Sequence, residues 1–228
     1  MPFTANKNEP ARTAFRLTPL VVALALISPI SVQAAEQKAE DGQFEQQAAQ
    51  AHRFHRDYVL GTSLDVVVTG VSKQEAKLAL DAIQTEIARM DQKLSTWRAD
   101  SEITALNKNK AGAVSPELFE VIAACEAWRD KTCGAFDARL GQLIGLWEKS
   151  QGITDLDTAT HAQVLNLLKP DSVEMDESAQ RIQMDATVSF APDAYAKGYI
   201  IDRAMVAARQ KVPAAEGLLI DIGGDIRV

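Results

Sequence analysis

Apolar residues recur along this chain at two different periods. In Tyr58–Thr69, Leu64, Val66 and Val68 fall on every second position of a β-branched segment, which predicts a half-buried strand. From Ser72 to Leu94 the period lengthens. Leu80, Ile83, Ile87 and Met90 form one stripe of an amphipathic helix, and Ser72 with Glu75 makes a capping box at its start. Ser95–Asn107 is polar and predicts a loop leading into a short helical turn. Ser115 as N-cap and Pro116 in the first turn open a second helix, which runs to about Thr132 and is ended by Gly134. Shorter helices are expected over Arg139–Lys149, carrying Leu143, Leu146 and Trp147, and over Thr158–Lys169, stopped before Pro170. Val173–Met175 and Arg181–Met184 predict two strands joined by a turn. Asp193–Lys211 predicts a long helix with Asp193 available as its N-cap, and Leu218–Ile222 a last strand. Helices and strands in this order point to an α+β fold.

The pattern before residue 54 is of another kind. Lys7, Arg12 and Arg16 precede an apolar run, Leu20–Ile27, and Val32-Gln33-Ala34 places small residues before Ala35. This is the layout of a secretory signal peptide cleaved near Ala34–Ala35. The run is short for a membrane span and Pro29 interrupts it, so no stable span is expected after cleavage; an uncleaved anchor is the alternative. No cysteine follows the run, so no lipid attachment is expected there. Residues 35–53 are rich in Glu, Gln and Ala and read as a flexible tether. The domain organisation is thus a signal peptide over 1–34, a tether over 35–53 and a folded domain over 54–228, with order beginning near Phe54.

Charge narrows the partners. The chain carries 24 Lys and Arg against 31 Asp and Glu. Removing residues 1–34 leaves 194 residues with 21 basic and 30 acidic side chains, a net charge of −9. That is a poor surface for nucleic acid, whose phosphates are met by Lys and Arg. Cys125 and Cys133 stand eight apart in a predicted helix, about 12 Å of rise, too far for a disulfide unless the helix ends early. Two buried or half-buried thiols are the expectation, although export would permit a bond.

Five short segments stand apart from ordinary packing: Leu60–Ser63, Ser95–Ile103, Gly134–Asp137, Ala194–Asp202 and Ile220–Asp225. Each has a plain reading on its own. Gly61-Thr62-Ser63 suits a bulge, Trp97 a surface anchor, Lys197 a solvated charge and Gly223-Gly224 a turn. In this order, however, Leu60-Gly61-Thr62, Ser95-Thr96-Trp97, Ser101-Glu102-Ile103, Asn107, Gly134-Ala135-Phe136-Asp137, Trp147, Ala196-Lys197-Gly198-Tyr199, Asp202 and Gly223-Gly224 resemble the FAD:protein FMN transferase family, called the ApbE family. The resemblance covers about residues 57–228. It implies an α+β, T-fold-like mixed sheet packed with helices. It also implies an enzyme that cuts the pyrophosphate of FAD with Mg²⁺, transfers FMN to a threonine hydroxyl and releases AMP. The implied acceptor is a protein subunit of a redox complex outside the cytoplasm, which agrees with an exported, periplasmic chain. By the same resemblance Leu60 and Trp97 flank the flavin, and Ala135, Phe136 and Asp137 line the cavity. Lys197 neutralises the pyrophosphate or pairs with a site carboxylate, and the Ala194 carbonyl is a metal ligand. Gly223 and Gly224 would allow close backbone approach.

Two departures matter. The family's flavin-contacting Asp falls on Ala191, and Asp193 either replaces it or only caps the helix. The family's later His-containing segment and its metal-binding Asp and Thr find no counterpart here. The chain therefore reads as the N-terminal two-thirds of such a domain, incomplete at the C-terminus. The catalytic His and the side-chain ligands of Mg²⁺ are expected beyond Val228, and the last strand is expected to lack its neighbours. His52, His55 and His161 are not assigned the missing role. A flavin-binding pseudoenzyme or scaffold is the alternative function, and an unspecialised periplasmic α+β domain a third.

Overall fold

The computed structural model describes residues 50–149 and 172–228. The segment 1–34, most of the tether, the helix expected over Thr158–Lys169 and His161 lie outside the described residues. In chain order the elements are β1 (His52–Val59), β2 (Thr62–Thr69), α1 (Lys73–Leu94), α2 (Glu102–Asn109), β3 (Ala111–Ala113) and α3 (Pro116–Lys131). They continue with α4 (Gly141–Lys149), β4 (Val173–Asp176), β5 (Arg181–Met184), α5 (Asp193–Lys211), β6 (Gly217–Ile222) and β7 (Asp225–Arg227). The α+β class is as expected. The strands form two sheets, β1-β2-β6-β7 and β3-β5-β4. Among the described residues their ladders are all antiparallel, where a mixed sheet was expected, and the one parallel pairing there is an isolated bridge, Leu140 with Ser189.

The core sits between the four-stranded sheet and two helices. Leu64, Val66 and Val68 of β2 pair in register with Ile222, Ile220 and Leu218 of β6, and all six are buried. Against this face lie Leu80, Ile83, Ile87 and Met90 of α1, with Ile201, Ala204, Met205 and Ala208 of α5. Each large aliphatic side chain so buried contributes roughly 1.5–3 kcal/mol. The expected caps are in place. Ser72 accepts from the Glu75 N–H while Glu75 reaches back to the Ser72 N–H, and Ser115 accepts from the Leu118 N–H with Pro116 behind it. Helix α5 departs from expectation, since its N-cap is Pro192 and no side chain caps it.

The strand expected over Tyr58–Thr69 is instead the end of one strand, a turn and a second strand. Leu60 (φ 49°) and Gly61 (φ 76°) form a two-residue turn between the paired Val59 and Thr62. Two consecutive positive φ values match the twist of the flanking strands. A bulge precedes the turn: Asp57 and Tyr58 together face Ser63, and Tyr58 also has positive φ, 61°. The order expected from Phe54 begins two residues earlier, because His52 and Arg53 belong to β1.

Gly223 (φ 60°) and Gly224 (φ 95°) make the same kind of turn between the paired Ile222 and Asp225. A close approach is found at Gly223 and not at Gly224, and its partner is the protein itself. A Cβ on Gly223 would lie 2.7 Å from the Thr62 side chain. Strand β6 is flanked on both sides, by β2 and by β7. Because β2 and β6 are antiparallel, the turns at Leu60-Gly61 and Gly223-Gly224 stand together at one end of the sheet.

A run of ion pairs joins the helices on the far side of α1. Arg89 meets Glu86 at 2.8 Å and Glu117 at 2.6 Å, and Lys93 meets Glu117 at 3.1 Å. Burial alone would raise the Glu117 carboxyl. Hydrogen bonds from Arg89, its own backbone and Lys93 outweigh burial and bring it from 4.5 down to about 2. Its folded-state affinity for a proton is below that of the unfolded chain. The stability it confers is therefore present above pH 4.5 and lost as the pH falls towards 2. Urea midpoints measured across that window should fall for the native chain and fall less steeply for Glu117→Gln.

Candidate functional site

The loop after α1 is built to hold its shape. Ser101, buried, caps α2 by accepting from the Thr104 N–H, and its hydroxyl donates to the Ser95 carbonyl at 2.6 Å. Glu102 accepts from the Ser115 N–H and hydroxyl, which ties α2 to the start of α3. Asn107 pairs with the backbone of Phe190 in both directions, donating to its carbonyl at 2.8 Å and accepting from its N–H at 2.7 Å. The three motif residues Ser101, Glu102 and Asn107 are thus structural. Their effect is to fix Thr96, Trp97 and Arg98 on one side and the segment leading into α5 on the other.

Between these lies a hollow of about 500 Å³, in the size range of small-molecule clefts. Leu60 and Gly61 of the first hairpin, Trp97 and Arg98 of the loop, and Asp193, Ala196, Lys197 and Ile200 of α5 line it. Four residues singled out from the sequence, Leu60, Trp97, Asp193 and Lys197, therefore share one cleft. Trp97 is 83% exposed and offers a flat apolar face to a ligand. Lys197 Nζ stands 3.4 Å from the Asp225 carboxylate, so the second hairpin closes onto the foot of α5. Asp193 receives the Thr96 hydroxyl at 3.3 Å. With no cap to make, its carboxylate faces the cleft. A second, smaller hollow of about 240 Å³ shares Trp97 and Asp193 as its border and reaches Asn107, Gly141, Ile144 and Ala191.

The segment Gly134–Asp137 does not line either hollow. Its donors serve the end of α3: the Ala135 N–H bonds the Thr132 carbonyl at 3.1 Å and the Phe136 N–H the Thr132 hydroxyl at 3.0 Å. Phe136 packs against the core. Asp137, with a side chain 9% exposed, accepts from Arg129 Nε at 3.0 Å and from the Arg139 N–H at 2.8 Å. A carboxylate held by a guanidinium within hydrogen-bond reach is already satisfied. Ala135, Phe136 and Asp137, which the resemblance puts along the cleft, line neither of these two hollows. Tyr199 is likewise structural, donating its hydroxyl to Glu120 at 2.7 Å, and Asp202 pairs with Arg227.

Cys125 is buried and Cys133 exposed, and both are free. Burial pushes the Cys125 thiol up to about 12. His52 reaches the Val71 carbonyl at 2.9 Å, and His55 lies between Asp65 and Asp57 on the outer side of β1. Neither lines the cleft. The hydrogen bond to Asp65, then that to Asp57, raises the affinity of His55 for a proton.

Sequence reasoning missed Tyr58, Asp91 and Arg98 as cleft residues. Arg98 pairs with Asp91 and Asp100, at 3.4 and 3.1 Å. The bulge of β1 places Tyr58 at the cleft, and the end of α1 with the loop after it places Asp91 and Arg98; of the three, only Arg98 falls in a segment singled out from the sequence.

A hard divalent cation needs several oxygen ligands at once. Among the described residues no group of three or more His, Cys, Asp and Glu could hold a metal ion. Ala194, the expected carbonyl ligand, lies in the first turn of α5, where that oxygen serves the helix ladder. The described residues offer no ligand set that fits Mg²⁺. Among the described residues, no helix is long and apolar enough to cross a membrane.

Residues 60–228 match the description of the ApbE family. Among curated proteins, the FAD:protein FMN transferase of Salmonella typhimurium is 30% identical over 108 residues, 46% of this chain and 31% of that protein. The FAD:protein FMN transferase of Treponema pallidum is 26% identical over 183 residues, 75% of this chain and 49% of that protein. The chain thus spans less than half the length of these relatives. Among solved structures, the ApbE protein of Thermotoga maritima has a TM-score of 0.69 at 27% identity, covering 78% of this chain and 58% of that one. The flavinyl transferase ApbE of Pseudomonas stutzeri has a TM-score of 0.67 at 19% identity over 77% of this chain and 60% of that one, a likeness of fold alone.

Proposed function

The chain belongs to the ApbE family, and from that membership we propose that it transfers FMN from FAD to a threonine hydroxyl of an acceptor flavoprotein, releasing AMP. The threonine oxygen forms a bond to the FMN phosphorus. The bond from that phosphorus to the bridging oxygen breaks, its electron pair leaves with AMP, and the hydroxyl proton passes to a base. The observation that carries the reading is the convergence of Leu60, Trp97, Asp193 and Lys197 on one cleft.

In this reading Trp97 offers its face to the isoalloxazine ring and Leu60 an apolar contact beside it. Asp193, steadied by Thr96, accepts from the ring's imide N–H. Lys197, freed from Asp225, meets the diphosphate as a mobile point charge. Mg²⁺, which the family resemblance implies, has no fitting ligand set among the described residues, so no step is written through it. No proton acceptor is assigned, since His52 and His55 lie away from the cleft. The proposed location is outside the cytoplasm, from the signal pattern over 1–34, and the proposed partner is a flavin-carrying subunit of a redox complex.

The donor set also favours a second reading, a flavin-binding protein that performs no transfer. One experiment separates them. The full-length protein, with whatever follows Val228 in frame, is incubated with FAD, Mg²⁺ and an acceptor domain, and in-gel flavin fluorescence and AMP are followed. The transferase reading expects both signals; FAD binding with neither signal leaves the binding protein.

A further inference from the structure

Tyr58 is the most exposed large hydrophobic residue of the described residues, at 95%, and it lines the same cleft as Trp97. Its backbone has φ 61°, a region that a bulky residue rarely occupies. The bulge of β1 holds it there, two residues before the Leu60-Gly61 turn. The ring forms none of the core and its hydroxyl makes no hydrogen bond among the described residues. Strain kept at a residue that returns nothing to packing is typical of groups displayed for a ligand.

FAD has two aromatic ends joined by a diphosphate. The cleft has two exposed aromatic rings, Trp97 from the α1–α2 loop and Tyr58 from the β1–β2 hairpin, and its walls also carry Lys197 and Arg98. Trp97 is already placed beside the flavin ring. We propose that Tyr58 is the stacking platform for the adenine of FAD, so that the enzyme distinguishes the dinucleotide from FMN through this one ring. The inference rests on the flavin reading of the cleft and names the residue that grips the departing nucleotide.

The test compares fluorescence titrations of the full chain with FAD and with FMN, for the native protein, Tyr58→Ala and Tyr58→Phe. Loss of a base-stacking aromatic should weaken FAD binding by about tenfold. FMN affinity should be unchanged in Tyr58→Ala, which also reports that the variant is folded, and Tyr58→Phe should bind both ligands as the native chain does. Equal loss for FAD and FMN would put Tyr58 on the flavin half and overturn the assignment, as would unchanged FAD affinity in Tyr58→Ala. A native chain that binds FMN but gains nothing from the adenine of FAD refutes this inference alone. A native chain that binds neither refutes the flavin reading itself.

Discussion

Trp97→Ala is expected to weaken FAD binding by about tenfold or more, since a ring stacked on an aromatic side chain contributes about 1–3 kcal/mol. The same change should leave the fold nearly untouched. Trp97 is 83% exposed and is no part of the core, so the unfolding free energy should move by no more than about 0.5 kcal/mol. The two measurements together make the case. Flavin-fluorescence titration reads the first and a urea curve the second. A titration that superimposes on that of the native chain would remove Trp97 from the ligand's path. Unlike Tyr58→Ala, this variant should lose affinity for FMN as well as for FAD.

Asn107→Ala should give the opposite pattern. Its amide satisfies both the N–H and the carbonyl of Phe190, whose residue is 1% exposed. Without it, two buried backbone groups have no replacement for the lost amide, at about 1–3 kcal/mol each. A net loss of about 2–3 kcal/mol would lower the melting temperature by roughly 5–10 °C in a domain of this size. The segment pinned by Asn107 leads directly into Asp193, so FAD affinity should weaken in parallel. Asn107→Asp keeps an acceptor for the Phe190 N–H and sets a charge beside the carbonyl, and it should not restore stability. A melting temperature equal to the native one would show that the 188–193 segment is held by other contacts.

The helices were the most legible part of the chain. The Ser72–Glu75 box, the Ser115–Pro116 start and the apolar stripe of α1 are local signals, and local signals suffice where the period is long and regular. The β1–β2 hairpin was hidden for an equally physical reason. Its turn places Leu60, not glycine or asparagine, at the first left-handed position, so the sequence runs on as if it were one strand. The outer strand β1 presents Arg53, His55 and Arg56 to solvent, and its first two residues, His52 and Arg53, read as tether. Strand β3 is Ala-Gly-Ala, three small residues without pattern.

The cleft was partly legible, through the order of its segments and not through their periodicity. Trp97 and Lys197 lie a hundred residues apart, and only the packing of α1 beside α5 brings them to one hollow. Asp137 lines neither hollow because its partner, Arg129, lies eight residues back on α3, where the turn at Gly134 folds the chain onto it. From the sequence Asp193 stood open between a helix cap and a flavin contact, because acidic residues favour helix starts. Pro192 takes the N-cap, and the carboxylate is released to the cleft.

The cleft's walls come from a hairpin near residue 60, a loop near 97 and the foot of a helix near 195, none of which could offer a ligand anything when separated. A molecule that settles there binds the folded chain and not the unfolded one. Mass action then adds about 2.7 kcal/mol of stability at a hundred times the dissociation constant. Resistance to heat becomes a readout of occupancy that needs no knowledge of the chemistry, and nucleotides or their fragments can be ranked by how far each one raises the melting point.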